Sequence, residues 1–201
     1  MMKEALDWLV SNWIENLAVL TGIVYIVLSV KQRISCWSFG IVSSVLYLFV
    51  FLQSKIYADM ILQAYYVIMG FYGWIHWARM DTNNQKEELP VSKISMRQAS
   101  VIGGITLVTF FCIAYFLIHF TDSPVPWVDA FTTSLSFTAT WMLARKILEH
   151  WIIWVIVDLV SVGLFFNRGL YASIVLFLIF TVLALIGYLQ WIKEWKSKTS
   201  L

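Results

Sequence analysis

The chain has 201 residues, of which 60% are hydrophobic and 17% aromatic, with a mean hydropathy of +0.77 and a formal net charge of +2. This composition excludes an ordinary soluble globular domain or a disordered chain, and it indicates an integral membrane protein. The net charge is too small to indicate a polyanionic partner, so we expect no nucleic-acid binding.

Seven apolar segments follow one another along the chain. The N-terminal stretch MMKEALDWLVSNWIEN contains acidic residues and no small-residue cleavage site, so we do not interpret it as a signal peptide. A bilayer core of about 30 Å requires a helix of about 17 to 25 apolar residues. The predicted membrane-spanning helices are 13–30, 37–53, 58–78, 98–119, 128–146, 151–167 and 170–192. The predicted fold class is therefore an all-α membrane protein with seven transmembrane helices.

Charged residues are concentrated in one long connection between the third and fourth predicted helices. Residues 79–97 contain Pro90 and most of the clustered charge, which predicts a solvent-exposed linker. The predicted topology places three Lys and Arg residues on the side of the N-terminus and eleven on the opposite side. Because cytoplasmic loops carry the excess of basic residues, we predict an external N-terminus, a cytoplasmic linker and a cytoplasmic tail at 193–201.

An internal repeat relates the beginning and the end of the chain. Shifting the sequence by 114 residues, without a gap, aligns the first three predicted helices with the last three, and aromatic residues coincide. The identical pairs are Trp37 and Trp151, Phe51 and Phe165, Tyr57 and Tyr171, Ala58 and Ala172, Leu62 and Leu176, Gly73 and Gly187, and Trp77 and Trp191. The pattern predicts two three-helix repeats.

An odd number of spans must separate two three-helix units that share one orientation. One predicted helix, 98–119, separates the two units here. We therefore predict that residues 1–78 and 128–192 form parallel repeats in a 3+1+3 arrangement, related by an axis along the membrane normal. Parallel repeats of this kind occur in transporters, whose substrate site lies near mid-membrane at the interface between repeats. The organisation of the chain therefore favours a transporter.

Polar residues on the third and fifth predicted helices are candidates for lining a substrate path. Gln63 and Tyr66 share a helix face, and an amide can both donate and accept hydrogen bonds with a polar substrate. Ser136 and Thr140 belong to a polar stripe on the fifth helix that begins at Asp129. Interhelical hydrogen bonding and close helix packing explain the same residues without a substrate.

The sixth predicted helix combines two tryptophans and an acid on one face. Trp151, Trp154 and Asp158 are spaced i, i+3 and i+7, and Asp158 lies near the middle of the span. A charged residue at that depth costs about 2.5–3.5 kcal/mol on insertion scales, so it should face a cavity and have a partner. Indole rings and a carboxylate suit a flat cation. The alternative is a structural acid that forms a hydrogen bond between helices.

Three classes of protein fit a membrane chain of this kind. A carrier of a small, flat cation uses the repeat, the mid-membrane acid and the aromatic face. An intramembrane enzyme needs a second acid, a histidine pair or a nucleophile at matching depth, and the sequence offers no such set; a channel or structural subunit does not need the Trp-Trp-Asp face. We predict a carrier without catalytic residues, metal ligands or a cofactor.

The chain resembles the PnuC family of vitamin transporters over nearly its whole length. The resemblance rests on the motif Trp151-x-x-Trp154-x-x-x-Asp158, on the third-helix run that ends in Tyr72-Gly73-Trp74-x-x-Trp77, and on the 3+1+3 repeat. In this family the sixth-helix motif ends in Asn or Asp and helps to form a site for nicotinamide riboside. Because several carriers of that riboside have Asn where this chain has Asp158, thiamine remains the alternative substrate.

The resemblance also implies properties that the residues do not show. Members of the family are similar to SWEET sugar transporters, form trimers and work by facilitated diffusion, with a cytoplasmic kinase trapping the product. We therefore expect a homotrimer in the bacterial inner membrane that takes up a small vitamin by alternating access.

Overall fold

The chain folds into two compact units, residues 1–86 and 87–201. The computed structural model describes residues 13–53, 57–81, 89–167 and 171–199. Residues 1–12 lie outside the described residues. They make up most of the N-terminal stretch that we do not interpret as a signal peptide.

Seven α-helices are present in the described part of the chain, as the apolar pattern predicts. In the first unit α1 packs against α2 and α2 against α3; in the second unit α4 packs against α5, α5 against α6 and α6 against α7. The helices are α1 (Trp13–Val30), α2 (Cys36–Gln53), α3 (Tyr57–Asp81), α4 (Met96–Phe120), α5 (Pro126–Ala144), α6 (His150–Asn167) and α7 (Tyr171–Thr199).

Among the described residues, three apolar stretches are long enough to cross a membrane on length and composition: Trp13–Val30, Met96–Phe120 and Ile174–Lys198. The apolar stretches of α2 and α6, Cys36–Leu52 and His150–Phe166, are slightly shorter. Together they support a multi-pass integral membrane protein.

Five helix ends differ from the predicted spans by two residues or more: the end of α3, the start of α4, both ends of α5 and the end of α7. Helix α5 stops at Ala144 because Lys146 has a left-handed backbone conformation, with φ of 50°, which no α-helix continues. Helix α7 extends to Thr199, into the predicted tail, and the Glu194–Lys198 ion pair with an N···O distance of 3.0 Å supports this polar extension.

The start of α4 is set by a capping box. The Ser95 hydroxyl accepts a hydrogen bond from the Gln98 backbone N–H at 3.3 Å, and the Gln98 side chain accepts one from the Ser95 N–H at 3.0 Å. These bonds satisfy backbone donors that the first helical turn leaves unpaired. The helix therefore begins two residues before the predicted apolar span.

The end of the linker pairs with the loop between α5 and α6. Ser92 donates its N–H to the Lys146 carbonyl at 3.0 Å, and its carbonyl accepts from the Leu148 N–H at 2.9 Å. The Ile94 N–H donates to a Glu149 carboxylate oxygen at 3.0 Å. The described end of the linker is therefore held against the loop between α5 and α6 by hydrogen bonds of its main chain.

Candidate functional site

Each unit contains a tight corner that sets the start of its middle helix. The first corner comprises residues 28–37 with Gly73 and Trp77, and the second corner comprises residues 142–151 with Gly187 and Trp191. The two corners contain positions that the shift of 114 residues aligns. Their geometry can therefore be compared residue by residue.

The backbone of the two corners is the same. Gln32 and Lys146, which the shift aligns, both have positive φ, at 54° and 50°. Their N–H groups donate to the carbonyls of Ser29 and Leu143 at 3.0 and 2.9 Å. A positive φ is uncommon for residues other than glycine, so its recurrence at aligned positions supports the predicted repeat.

The aromatic packing of the corners is also the same. The rings of Trp37 and Trp77 meet edge to face at 5.4 Å, and those of Trp151 and Trp191 meet in the same way at 5.6 Å. A Cβ atom at Gly73 would overlap the Trp37 ring, and the ring of Trp151 blocks Gly187 in the same manner. Because only glycine permits this approach, the identical glycine pair has a packing role.

Trp151 is fixed by this packing. Its side chain is 3% exposed, and it contacts the rings of both Trp191 and His150, whose centroids lie 5.6 and 4.4 Å away. The predicted role of Trp151 in binding stays a prediction, and the structure gives its ring a packing function. His150 is also fully buried, and its Nδ1 lies 2.7 Å from the Ile147 carbonyl oxygen.

Trp154, one turn further along α6, is in a different situation. Its side chain is partly exposed, and within the described residues it forms no ring contact or hydrogen bond. An indole in this position has a surface that a planar ligand could cover. The two tryptophans of the motif therefore differ in their burial and packing, a difference that their spacing in the sequence does not predict.

Asp158 is buried in the middle of α6. It is the ninth of the 18 residues of this helix, about 12 Å along the axis from His150, and its side chain is 4% exposed. Across the part of the chain that the structure describes, its carboxyl group has no hydrogen bond and no ion pair. A buried carboxyl group without a partner is unusual, because burial removes its contacts with water and nothing replaces them.

The polar stripe of α5 is only partly available for binding. Ser136 and Thr140 are buried, and the Thr140 hydroxyl donates to the Ser136 carbonyl at 2.8 Å, so this donor is already used. Asp129 accepts a hydrogen bond from the Ser123 hydroxyl at 2.5 Å at the start of the helix. Asp129 therefore has a local structural role, while the binding roles of Ser136 and Thr140 stay predictions.

Gln63 and Tyr66 lie on α3 in the first unit, and both are partly exposed. The Gln63 amide has no hydrogen-bond partner among the described residues, whereas the ring of Tyr66 lies 6.0 Å from that of Tyr65. On the same face, a Cβ atom at Gly70 would collide with Ile41 of α2. Part of this face is thus packing surface, and Gln63 retains an unused amide.

The described residues contain no group of three or more His, Cys, Asp or Glu side chains that could hold a metal ion. The candidate binding residues of the second unit are Trp154 and Asp158, which lie four residues apart on α6. An aromatic surface and an unpartnered acid on one helix could together accept a flat, positively charged molecule.

Comparisons with known proteins identify the family and the fold of the chain. Residues 12–193 match the model of a family described as nicotinamide mononucleotide transporter. The nicotinamide riboside transporter PnuC of Escherichia coli (strain K12) is 28% identical over 212 residues, which cover 94% of this chain and 89% of that protein. The riboflavin/roseoflavin transporter RibM of Streptomyces davaonensis is 25% identical over 185 residues, covering 89% of this chain and 84% of that protein.

A solved structure has the same fold. The crystal structure of the vitamin B3 transporter PnuC superposes with a TM-score of 0.77 and covers 97% of this chain and 87% of the crystallised chain, at 23% sequence identity. At 23% sequence identity, this similarity shows the fold alone.

Proposed function

Since the chain belongs to the PnuC family of membrane transporters, we propose that it carries a small cationic vitamin, nicotinamide riboside, across the bacterial inner membrane. The two relatives named above transport different molecules: PnuC is a transporter of nicotinamide riboside, and RibM is a transporter of riboflavin and roseoflavin. The substrate must therefore be argued from this chain's own residues.

The observation that carries the proposal is the Asp158 carboxyl group, which is buried at mid-helix and has no partner among the described residues. Such a group is costly in the absence of a compensating charge. The nicotinamide ring of the riboside is a flat cation at neutral pH, which can offset the carboxylate charge. A neutral flavin offers no such compensation, so this acid favours a cationic substrate over riboflavin.

The remaining parts of the site have matching roles in the proposal. Trp154 stacks on the cationic ring, which contributes about 0.5 to 2 kcal/mol. Gln63 forms hydrogen bonds with hydroxyl or amide groups of the substrate. Ser136 and Thr140 line the path, and Tyr66 and Trp151 hold neighbouring side chains in place.

The proposed transport cycle draws no energy from ATP. The substrate moves down its gradient by alternating access of two three-helix repeats in a 3+1+3 arrangement, and a cytoplasmic kinase traps it by phosphorylation. The excess of basic residues on one side supports an external N-terminus. The homotrimeric assembly is carried over from the family resemblance.

Titration calorimetry of the purified protein with nicotinamide riboside, thiamine and riboflavin, each in a separate experiment, tests this proposal. We expect heat with the riboside. Binding of thiamine alone would keep the cationic site and change the substrate. Binding of riboflavin alone would contradict the role that we give to Asp158.

A further inference from the structure

A pocket opens in the second unit where α4 begins and α5 ends. It has a volume of about 220 Å³ and is lined by Arg97, Gln98, Val101, Ile102 and Trp141. The hydroxyl oxygens of Thr106 on α4 and Thr138 on α5 lie 2.6 Å apart, which fixes the register of the two antiparallel helices. Each helix reaches the pocket about one turn beyond this contact, so the two walls lie at the same level.

Two guanidinium groups bring positive charge to this pocket. Arg97 is exposed in the first turn of α4, and among the described residues it forms no ion pair or hydrogen bond. Arg145, which follows the last residue of α5, lies over the Trp141 ring, with its Cζ 5.8 Å from the ring centroid. The single carboxylate of α4 and α5 is that of Asp129, about 22 Å from the end of α5. The pocket is therefore basic, without a carboxylate on either of its walls.

The Gln98 side chain adds a neutral donor in a fixed orientation. Its Oε1 accepts hydrogen bonds from the backbone N–H and from the hydroxyl of Ser95, both at 3.0 Å. The amide NH2 of Gln98 has no partner among the described residues, so it keeps two donors at the wall of the pocket. Guanidinium groups form short, charge-assisted hydrogen bonds with phosphate oxygens. The donors of this pocket therefore suit a phosphate group.

An apolar groove continues from the pocket along α4. It has a volume of about 380 Å³ and is lined by Ser100, Val101, Gly104, Ile105, Val108 and Thr109. Val101 lines both the pocket and the groove. Arg97, Gly104 and Val108 are spaced i, i+7 and i+11, so they lie on one face of the helix. A Cβ atom at Gly104 would meet no atom within 4 Å, so the protein leaves the space beside this residue open.

The dimensions of this surface match one lipid molecule of one leaflet. Arg97 directly precedes the predicted span 98–119, which puts its guanidinium group at the level of the membrane surface. From Arg97 to Val108 the helix rises about 16 Å, close to half of a bilayer core of about 30 Å. Trp141, on the opposite wall, is of a residue type that is enriched at the membrane–water interface. A phosphate in the pocket would therefore direct an acyl chain along the groove.

We infer that the pocket and the groove bind an anionic phospholipid, with its phosphate at Arg97, Arg145 and Gln98 and an acyl chain beside Gly104. Basic pockets between membrane helices bind anionic lipid head groups. A soluble anion gains nothing from the groove, whereas an acyl chain buries apolar surface there. The site lies on the side that we predict to be cytoplasmic, and lipid binding there does not depend on the proposed substrate.

Native mass spectrometry of the purified full chain, released from a neutral detergent, measures this binding. Phosphatidylglycerol and phosphatidylcholine with the same acyl chains are titrated separately, and inorganic phosphate is the soluble competitor. We expect phosphatidylglycerol to bind more tightly than phosphatidylcholine and to stay bound in the presence of phosphate. Equal affinity for the two lipids would overturn the role of the pocket. Displacement of the lipid by inorganic phosphate would indicate a site for soluble anions and overturn the lipid assignment.

Arg97→Gln tests the contact with the head group. It should weaken binding of phosphatidylglycerol about fivefold, and that of phosphatidylcholine by less, as expected for the loss of one cation near a membrane surface. Lys193→Gln on α7 is the matched control. Lys193 is exposed on the same predicted side without a partner among the described residues, and α7 packs against neither α4 nor α5 in the described part of the chain. Equal losses in the two variants would indicate a general attraction between basic residues and anionic lipid, and would overturn the pocket.

Gly104→Leu tests the groove. The larger side chain has room beside the helix and fills the groove, so both lipids should bind more weakly while the melting temperature in detergent is not lowered. Unchanged binding of both lipids would contradict the place of the acyl chain. A change in the number of chains per particle would show that a second copy of the chain covers the groove in place of lipid. All of these outcomes leave the proposed function standing, since calorimetry with nicotinamide riboside tests it separately.

Discussion

The first and second corners share their backbone and their aromatic packing, yet the helices that leave them carry different side chains. The shift that aligns Trp37 with Trp151 also aligns Gly40 with Trp154 and Ser44 with Asp158. The corner geometry is thus the same in both units, whereas at these two aligned positions the tryptophan and the acid occur in the second unit. That one repeat specialises in recognition stays a prediction, and the contrast shows where to test it.

The helix that provides the aromatic ring at these aligned positions also differs between the units. In the first unit the Tyr25 ring lies directly over Gly40, where an added Cβ atom would approach it to 2.9 Å. The aligned positions in the second unit are Ala139 and Trp154. The ring is therefore supplied by α1 in the first unit and by the middle helix in the second, next to Asp158.

Replacing the two aligned polar residues tests the contrast most strongly. Asp158→Ala should weaken binding of nicotinamide riboside by about 2 to 5 kcal/mol, because the cation loses its only compensating charge on α6. Ser44→Ala should change it by less than about 0.5 kcal/mol. Calorimetry measures both, and size-exclusion chromatography checks that each variant is folded. Equal losses would mean that the repeats share recognition.

Adding a methyl group to the two corner glycines tests the shared scaffold. Gly73→Ala and Gly187→Ala should each lower the free energy of unfolding by about 1 to 3 kcal/mol, because the new Cβ displaces a buried tryptophan ring. Gly104→Ala on α4, where the added Cβ meets no atom within 4 Å, is the control and should not be destabilised. Thermal unfolding in detergent compares the three. A loss at one corner only would show that the two corners are not equivalent.

The two tryptophans of the motif should separate in experiment as they do in the structure. Trp154→Ala should weaken binding of nicotinamide riboside by about 0.5 to 2 kcal/mol, because a stacking surface is lost, and leave the melting temperature unchanged. Trp151→Ala should instead lower the melting temperature, because its ring fills the space beside Gly187. Loss of stability in Trp154→Ala would contradict its assignment to the site.

The linker supplies the smallest expected difference between the corners. It covers the second corner, where Leu148 is fully buried, while the aligned Ile34 of the first corner is 38% exposed. Ser92→Pro removes the N–H group that donates a hydrogen bond to the Lys146 carbonyl. It should lower the free energy of unfolding by about 0.5 to 1.5 kcal/mol. Ser92→Ala keeps both main-chain bonds and is the control. Faster hydrogen exchange at the Leu148 amide in the proline variant alone would support this role.

Much of the fold could be predicted because a membrane imposes simple rules on sequence. Apolar length located all seven helices, and the shift of 114 residues identified the glycine and tryptophan pairs whose packing the structure describes. Helix ends were less predictable. The positive φ of Lys146 and the polar extension around Glu194 depend on local backbone geometry and side-chain pairing, which apolar length does not report.

The candidate site was predictable in its residue types and not in their surroundings. The sequence by itself determined a seven-helix membrane protein with an acid at mid-helix, because hydrophobic length and helical spacing follow from the order of residues alone. Only the tertiary structure decided that Trp151 is enclosed by its neighbours, that Trp154 is not, and that Asp158 has no partner among the described residues of the helices packed around it. These differences depend on which side chains neighbouring helices bring into contact, and residues distant in sequence determine those contacts.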